Sequence, residues 1–344
     1  MRPETIINTE DLQKLHDLLQ VPKRIALVGH VSPDGDAVGS TLALSRLLQK
    51  QGHTTKVMYP TPFPANLDFL TGAAETLIGK DQLKECEEWI EQAELLFCMD
   101  LNEPKRLEML EGPFLKSKAP KVLIDHHPHP ADFVDLLFSY PSVTSSCHLL
   151  FKIIEALGWD EQIDTEIAEA IYTGMMTDTG GFSYNSEDPT IYTAISTLLQ
   201  HGIKKDEISA RINRSYSIDK LKLNAYLMHN KTTFYPEWHT AIVTLSQKEK
   251  QLYNYQVGDV DGIVNEALAA KEIRFSIFIH EMARYTKVSL RSKGDFPCNL
   301  FAKKFFNGGG HPNASGAEVC APLSEVTKMV LEAVRVMHPN ENNE

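Results

Sequence analysis

Cysteine is scarce. Five residues in 344, Cys86, Cys98, Cys147, Cys298 and Cys320, form an odd and widely spaced set without a CxxC pair. A zinc ribbon or a disulfide scaffold is not expected, and the thiols read as reduced and mostly buried. Long apolar runs are missing as well. None approaches the ~18 residues that span a bilayer. The start, MRPETIINTEDLQKLHDLL, lacks a basic stretch followed by an apolar one. Neither a membrane anchor nor a signal peptide is expected, and the expected location is the cytoplasm. Positive charge is the third shortage. Lys+Arg is 34 against 46 Asp+Glu, a net charge of −12. A broad basic footprint for long duplex nucleic acid is therefore excluded.

The deficit is uneven. Residues 236–344 hold 12 basic and 13 acidic side chains, whereas 1–235 hold 22 and 33. A carboxylate-rich first part suits metal ions, and a near-neutral second part leaves room for a local basic patch. The length suggests two domains, each large enough to bury a core.

Short apolar runs alternate with amphipathic stretches. RIALVGH (24–30), TTKVMYP (54–60), LLFCMDL (95–101) and KVLIDHH (121–127) read as buried strands. AVGSTLALSRLLQKQG (37–52), SCHLLFKIIEALG (146–158) and TEIAEAIYTGMMTDTG (165–180) read as helices. Interleaving of this kind predicts an α/β fold with a parallel sheet, whose ligands gather outside the carboxyl ends of the strands. His30, Asp100 and Asp125-His126-His127 fall at such ends. Residues 188–235 read as a polar, helical connector. Beyond them, HTAIVTLS (239–246), EIRFSIFIH (272–280) and TKVSLRS (286–292) read as strands, with a helix near 260–270 and another over 323–337. This second part reads as a smaller mixed α/β domain. The tail NENNE reads as disordered.

His30-Val-Ser-Pro-Asp34-Gly-Asp36 places one imidazole and two carboxylates on a loop after a strand. Such a donor set suits Mn²⁺, Mg²⁺ or Fe²⁺. Taken alone, the loop would read equally as an acidic turn with Asp36 as helix N-cap. Asp100 alone could be a turn residue. His126-His127 alone could be a polar loop, or one ligand and one proton donor. Asp178, in Thr-Asp-Thr-Gly-Gly, could simply precede a helix stop with glycine at C′. Together, four segments bring Asp or His to the place where an α/β sheet presents its site. The number of donors allows two ions: one on His30 and Asp34, the other on Asp36, His126 and Asp178, with Asp100 bridging. Two divalent ions ~3.5–4 Å apart clamp a phosphoryl group and acidify a water between them.

The ordered set HVSPDGDAVGS, CMD, DHH and TDTGG, followed by SLRS and GGGHPNASGA, resembles the DHH phosphoesterases with their DHH-associated C-terminal domain. Within that family the resemblance is to the stand-alone nanoRNase/pAp-phosphatase type of oligoribonuclease. It implies two Mn²⁺ ions, with Mg²⁺ or another divalent ion as substitute. Carried over by position, the implied metal ligands are His30, Asp34, Asp36, Asp100, His126 and Asp178. The residue implied to face the scissile phosphate is His127. The implied substrates are very short single-stranded RNA, pAp or another small nucleotide, hydrolysed to mononucleotides.

In the second part, Gly308-Gly309-Gly310-His311 could bring backbone N–H groups to an anion, or be a plain flexible loop. Residues 284–304 hold Arg284, Lys287, Arg291, Lys293, Lys303 and Lys304 against Asp295 alone. Strand alternation sets Lys287, Ser289 and Arg291 on one face and Val288 and Leu290 on the other. The resemblance assigns phosphate binding to Arg291 and His311, gives Arg291 a further catalytic part at the scissile phosphate, and leaves Asn265 as an additional contact. The expected division is a catalytic domain over 1–196, a helical connector over 197–214 and a substrate-binding domain over 215–344, with the active site in the cleft between domains. A homodimer is compatible with this reading; a membrane partner is not expected. The competing readings are hydrolysis of a cyclic or linear dinucleotide, a RecJ-like single-strand exonuclease, an inorganic pyrophosphatase, and a non-catalytic nucleotide-binding module.

Overall fold

The computed structural model describes residues 7–213 and 216–337. The chain divides into two compact units, Met1–Ser215 and Tyr216–Glu344. The expected boundary at 214/215 and the tail NENNE lie outside the described residues. Among the described residues, no helix is long and apolar enough to cross a membrane.

The first unit is built on strands β1 (Arg24–Val28), β2 (Thr54–Tyr59), β3 (Leu77–Ile78), β4 (Leu95–Met99), β5 (Lys121–Asp125) and β6 (Leu136–Ser139), in the order β3-β2-β1-β4-β5-β6. Every pairing is parallel. Strands β1, β4 and β5 are buried nearly end to end, as expected of strands covered on both faces. Leu27, Phe97 and Ile124 face one core; Val28, Cys98 and Leu123 face the other. The order reverses between β1 and β4, and at such a switch point the loops leaving the carboxyl ends diverge and open a crevice.

Helices Gly35–Lys50 and Thr165–Asp178 carry Asp36 and Asp178, and helix Ser146–Ala156 packs against both. They approach closely because glycine lies at the contact: a Cβ on Gly174 would stand 2.2 Å from Cys147 Sγ and 2.8 Å from Asp36 Oδ1. The segment expected as a connector contributes Leu198, Ile203, Ile208 and Ile212 to the first unit's core. It is part of that unit as far as it is described, because its two helices present an apolar stripe.

The second unit holds β7 (Thr232–Tyr235), β8 (Thr240–Leu245), β9 (Phe275–Glu281), β10 (Thr286–Ser292), β11 (Gly309–His311) and β12 (Ala314–Val319), in the order β11-β12-β10-β9-β8-β7. Only β8 and β9 run parallel. One face packs Ile242, Ile277, Ile279, Val288 and Leu290 against helices Cys298–Phe306 and Leu323–Met337. The other packs Val243, Leu245 and Phe278 against Leu223, Leu227, Ile263 and Val264. Three expectations change here. Residues 232–235 are a strand, because Thr-Thr-Phe-Tyr finds a partner in β8. The helix near 260–270 shrinks to one turn, Ile263–Glu266, and a 3₁₀ turn. The glycine-rich segment is half of a β-hairpin and not a loop.

A candidate metal centre at the carboxyl ends of three strands

β1 ends two residues before His30, β4 ends just before Asp100, and β5 ends just before His126. Because the three strands are neighbours, their exits meet at the switch point. Asp100 turns through a left-handed backbone, φ +60°, which aspartate tolerates better than most residues. Asp34 is the N-cap of helix Gly35–Lys50 and accepts the Asp36 and Ala37 N–H groups at 3.0 and 3.1 Å. The cap is therefore Asp34, and Asp36 is left inside the first turn, directed at the site. Asp178 is the last residue of its helix, and Gly180 and Gly181 follow with positive φ. The helix stop with glycine at C′ is observed, and it leaves the Asp178 carboxylate 3.6 Å from His126 Nε2.

The six expected ligands come together in two sets. In one, His30 Nε2 lies 3.4 Å from Asp100 Oδ2 and 4.0 Å from Asp34 Oδ1. In the other, His126 Nε2 lies 3.6 Å from Asp178 Oδ2, 4.0 Å from Asp36 Oδ2 and 3.7 Å from Asp100 Oδ1. His30–Asp34–Asp100 and Asp36–His126–Asp178 each offer ligand atoms within 4.8 Å of one another. Asp100 turns one oxygen toward each set.

The donor chemistry fits a cation. His30 Nδ1 lies 2.7 Å from the Val31 carbonyl and donates to it. Nε2 is buried, without a hydrogen-bond partner, and faces the carboxylates of Asp100 and Asp34. A buried nitrogen left unpaired 3.4 and 4.0 Å from two carboxylates suits a positive ion placed among them. The carboxylates point to a cation as well. Burial first, and then the charge of Asp100, pushes Asp36 up to about 7. Burial followed by Asp36, Asp34 and Asp100 drives Asp178 well above the carboxylate range. Asp100 moves the other way: burial opposes its charge, but His30, His127 and His126 together outweigh that and lower its pKa. Asp36 and Asp178 are thus pushed toward their neutral forms, a tendency that added positive charge would reverse.

Several supporting residues were not legible in the sequence. Ser146 donates its backbone N–H to Asp36 Oδ2 at 2.6 Å and its hydroxyl to Asp100 Oδ1 at 2.8 Å; Cys147 N–H donates to Asp36 Oδ1 at 2.9 Å. One helix N-terminus therefore orients a carboxylate of each set. The Ser-Ser start of that helix signals a cap, but nothing in it signals contact with a residue 110 positions earlier. Asp125, fully buried, accepts from His127 Nδ1 at 2.7 Å, so the first residue of the DHH triplet holds the third. Burial alone would lower the His127 pKa, but Asp125 and Asp100 raise it overall. Arg106 Nη1 lies 3.4 Å from His127 Nε2.

In the second unit, Arg291, Ala314 and His311 are successive cross-strand neighbours, so both expected phosphate-binding side chains stand on one sheet face. The next row is Ser289–Gly316–Gly309, which leaves a low floor beside them. Asn265 is exposed on the Ile263–Glu266 turn, an element that packs against β9 and β10. The alternation expected for 286–292 is observed. The basic patch is not continuous. Lys303 and Lys304 ride on helix Cys298–Phe306, which covers the opposite, Val288–Leu290 face. The glycines also have a second cause. A Cβ on Gly308 would meet Gly316 O at 2.2 Å, and one on Gly310 would meet Ala314 O at 2.6 Å, whereas Gly309 faces open space. Close packing on β12 thus gives Gly308 and Gly310 a structural reason, and Gly309 alone faces open space.

Residues 24–175 match the model of the DHH family, N-terminal domain, and residues 248–336 match that of the DHHA1 domain. A bifunctional oligoribonuclease and PAP phosphatase of Bacillus subtilis is 28% identical over 86% of this chain and 89% of its own length. The crystal structure of an exopolyphosphatase-related protein from Bacteroides fragilis superposes with a TM-score of 0.94 at 37% identity, covering 98% of this chain and 99% of that one. RecJ from Thermus thermophilus in complex with Mn²⁺ shares the fold, with a TM-score of 0.58 at 13% identity over 98% of this chain and 56% of that one. With a strand-end cluster of the family's ordered motifs and both family domains in sequence, the chain belongs to the DHH family, its first unit carrying the DHH domain and its second the DHHA1 domain.

Proposed function

We propose that this protein is a Mn²⁺-dependent phosphoesterase that hydrolyses very short oligoribonucleotides, pAp or both to mononucleotides. The observation that carries the reading is Asp100, with one oxygen toward each of two histidine–carboxylate sets. His30, Asp34 and Asp100 would hold one divalent ion, and Asp36, His126 and Asp178, with the other oxygen of Asp100, a second. Bound there, the ions would neutralise phosphoryl oxygens and acidify water. The chain's own residues do the rest. Asp125 holds His127 through its Nδ1–H, which turns Nε2 toward substrate; once protonated there, His127 would offset charge on a phosphoryl oxygen. In the reaction, water oxygen bonds to phosphorus, the bond to the ribose oxygen breaks, and that oxygen takes up a proton. Arg291 and His311 grip the nucleotide's other phosphate or base, with Gly308, Gly309, Gly310 and Asn265 as neighbouring contacts. Arg291 is also a candidate for the scissile phosphate itself. The similarity to an oligoribonuclease and PAP phosphatase over most of both chains supports the substrate class. The RecJ complex supports the choice of Mn²⁺. Few phosphates would be contacted, so the salt dependence of RNA binding should be shallow.

The test is a turnover panel with pAp, a diribonucleotide, a longer single strand and a cyclic dinucleotide, run on Mn²⁺-loaded and metal-stripped protein. Fastest hydrolysis of pAp or the diribonucleotide, abolished by stripping, is the expected result. Preference for the cyclic compound would replace this reading with the cyclic-dinucleotide one. Undiminished activity in metal-free protein would end both.

A further inference from the structure

The first unit must receive a phosphate group among carboxylates, yet its expected cationic partner, Arg291, belongs to the second unit. Arg106 lies closer to the chemistry than any sequence signal suggested. Its carbonyl accepts the Val31 N–H at 2.8 Å, and the Val31 carbonyl in turn accepts from His30 Nδ1. Its guanidinium reaches the other side of the centre, 3.4 Å from His127 Nε2. Arg106 therefore links the loop that carries His30 to the loop that carries His127. The other arginines described in this unit are engaged elsewhere: Arg24 lies over Trp89, Arg46 pairs with Asp164 and Glu166, and Arg211 lies over Phe69.

The contact itself is informative. A guanidinium can only donate, so His127 Nε2 must accept while Nδ1–H donates to Asp125. At 3.4 Å, the Arg106–His127 bond is long and weak. A phosphoryl oxygen is a stronger, charged acceptor than an imidazole nitrogen, and the planar guanidinium fork suits it. Half-buried Arg106 also stands on the His127 side of the cluster and is not part of either carboxylate set.

We propose that Arg106 is a substrate-contacting residue of the first unit, exchanging its contact with His127 for a non-bridging oxygen of the scissile phosphate. The inference rests on the phosphoesterase reading, and its test separates the two. Wild type, Arg106→Ala, Arg106→Lys and Lys105→Ala are compared as Mn²⁺-loaded full chains. Lys105 is the neighbouring control, 72% exposed and paired with Glu103. Three quantities are measured: bound Mn²⁺ after dialysis, orthophosphate affinity by calorimetry, and kcat/KM on a small aryl phosphodiester. Arg106→Ala should keep its Mn²⁺ while phosphate affinity and kcat/KM each fall roughly ten- to a hundredfold, as expected for losing one charge-assisted contact. Arg106→Lys should recover part of the loss, and Lys105→Ala should match wild type. Should Arg106→Ala not fold, Arg106→Gln keeps the stem and carries the same test. Wild-type values in the folded Arg106 variant would overturn the proposal, as would loss of Mn²⁺, which would make Arg106 a support of the metal ligands. A wild type that neither binds phosphate nor cleaves any phosphodiester would instead refute the phosphoesterase reading.

Discussion

The two units present polar residues in opposite ways. In the first, the reactive groups are locked: His30, Asp36 and Asp100 are almost wholly buried, and Asp36 and Asp100 are tied to Ser146. In the second, Arg291 on the inner strand β10 and His311 on the edge strand β11 stand on one sheet face beside a floor of small residues. Fixed charges in a buried site cost no reorganisation during a reaction, whereas a shallow, accessible row tolerates ligands of different shape. The contrast agrees with the proposed division, chemistry in the first unit and grip in the second, and variants of single residues can break that division.

The largest effect belongs to Asp100. Asp100→Ala should empty both sets and reduce turnover by more than the roughly 10²–10³-fold that one electrostatic donor is worth; metal analysis beside kinetics checks it. His127→Ala should come next. It should leave metal content nearly intact and slow turnover by roughly 10²–10⁴-fold. If His127→Ala empties the centre and His126→Ala does not, the two histidines have been given each other's roles.

The meeting of these residues was legible because buried parallel strands read as plain apolar runs, and three of those runs, 24–30, 95–101 and 121–127, stop at residues able to bind metal. The supporting shell was hidden for a physical reason. Ser146 and Arg106 act through contacts between segments far apart in the chain, and neither carries a local pattern. In the second unit, β11 is three residues of mostly glycine, with no side-chain alternation to read. Its identity as a strand depends on pairing with β12. The basic run over 284–304 looked like one patch because linear sequence does not show that helix Cys298–Phe306 folds onto the opposite face.

A smaller effect should come from the second unit. His311→Ala should raise KM for pAp or a diribonucleotide roughly ten- to a hundredfold, and harm a short aryl phosphodiester much less. Equal losses on both substrates would show that the second unit completes the catalytic centre, and the contrast would fail. Ser146→Ala keeps its backbone bond to Asp36 but loses the hydroxyl bond to Asp100. By the usual worth of such supports it should weaken metal affinity roughly 10–100-fold without unfolding the protein. Calorimetric titration beside a melting curve distinguishes the two outcomes.

The smallest effect concerns a likeness between the units. Each holds a buried neutral histidine: burial, aided by Lys152, lowers His148 to about 4, and burial, aided by Lys250 and Lys287, lowers His280 to about 3. The unfolded chain binds these protons near the ordinary value of 6.5, so stability is full above that pH. It falls as the pH drops from there toward about 4 for His148 and about 3 for His280. His148→Gln and His280→Gln should each flatten the melting temperature against pH in its own window. An unchanged slope in both would contradict the burial account.

The most direct test of the central claim is electron paramagnetic resonance during Mn²⁺ titration of the full chain and of Asp100→Ala. The account predicts two ions per wild-type chain with an exchange-coupled signal, because one carboxylate joins the two sets. It also predicts that Asp100→Ala loses the coupling and most of the affinity. A single ion, or two uncoupled ions whose binding is indifferent to Asp100, would contradict it.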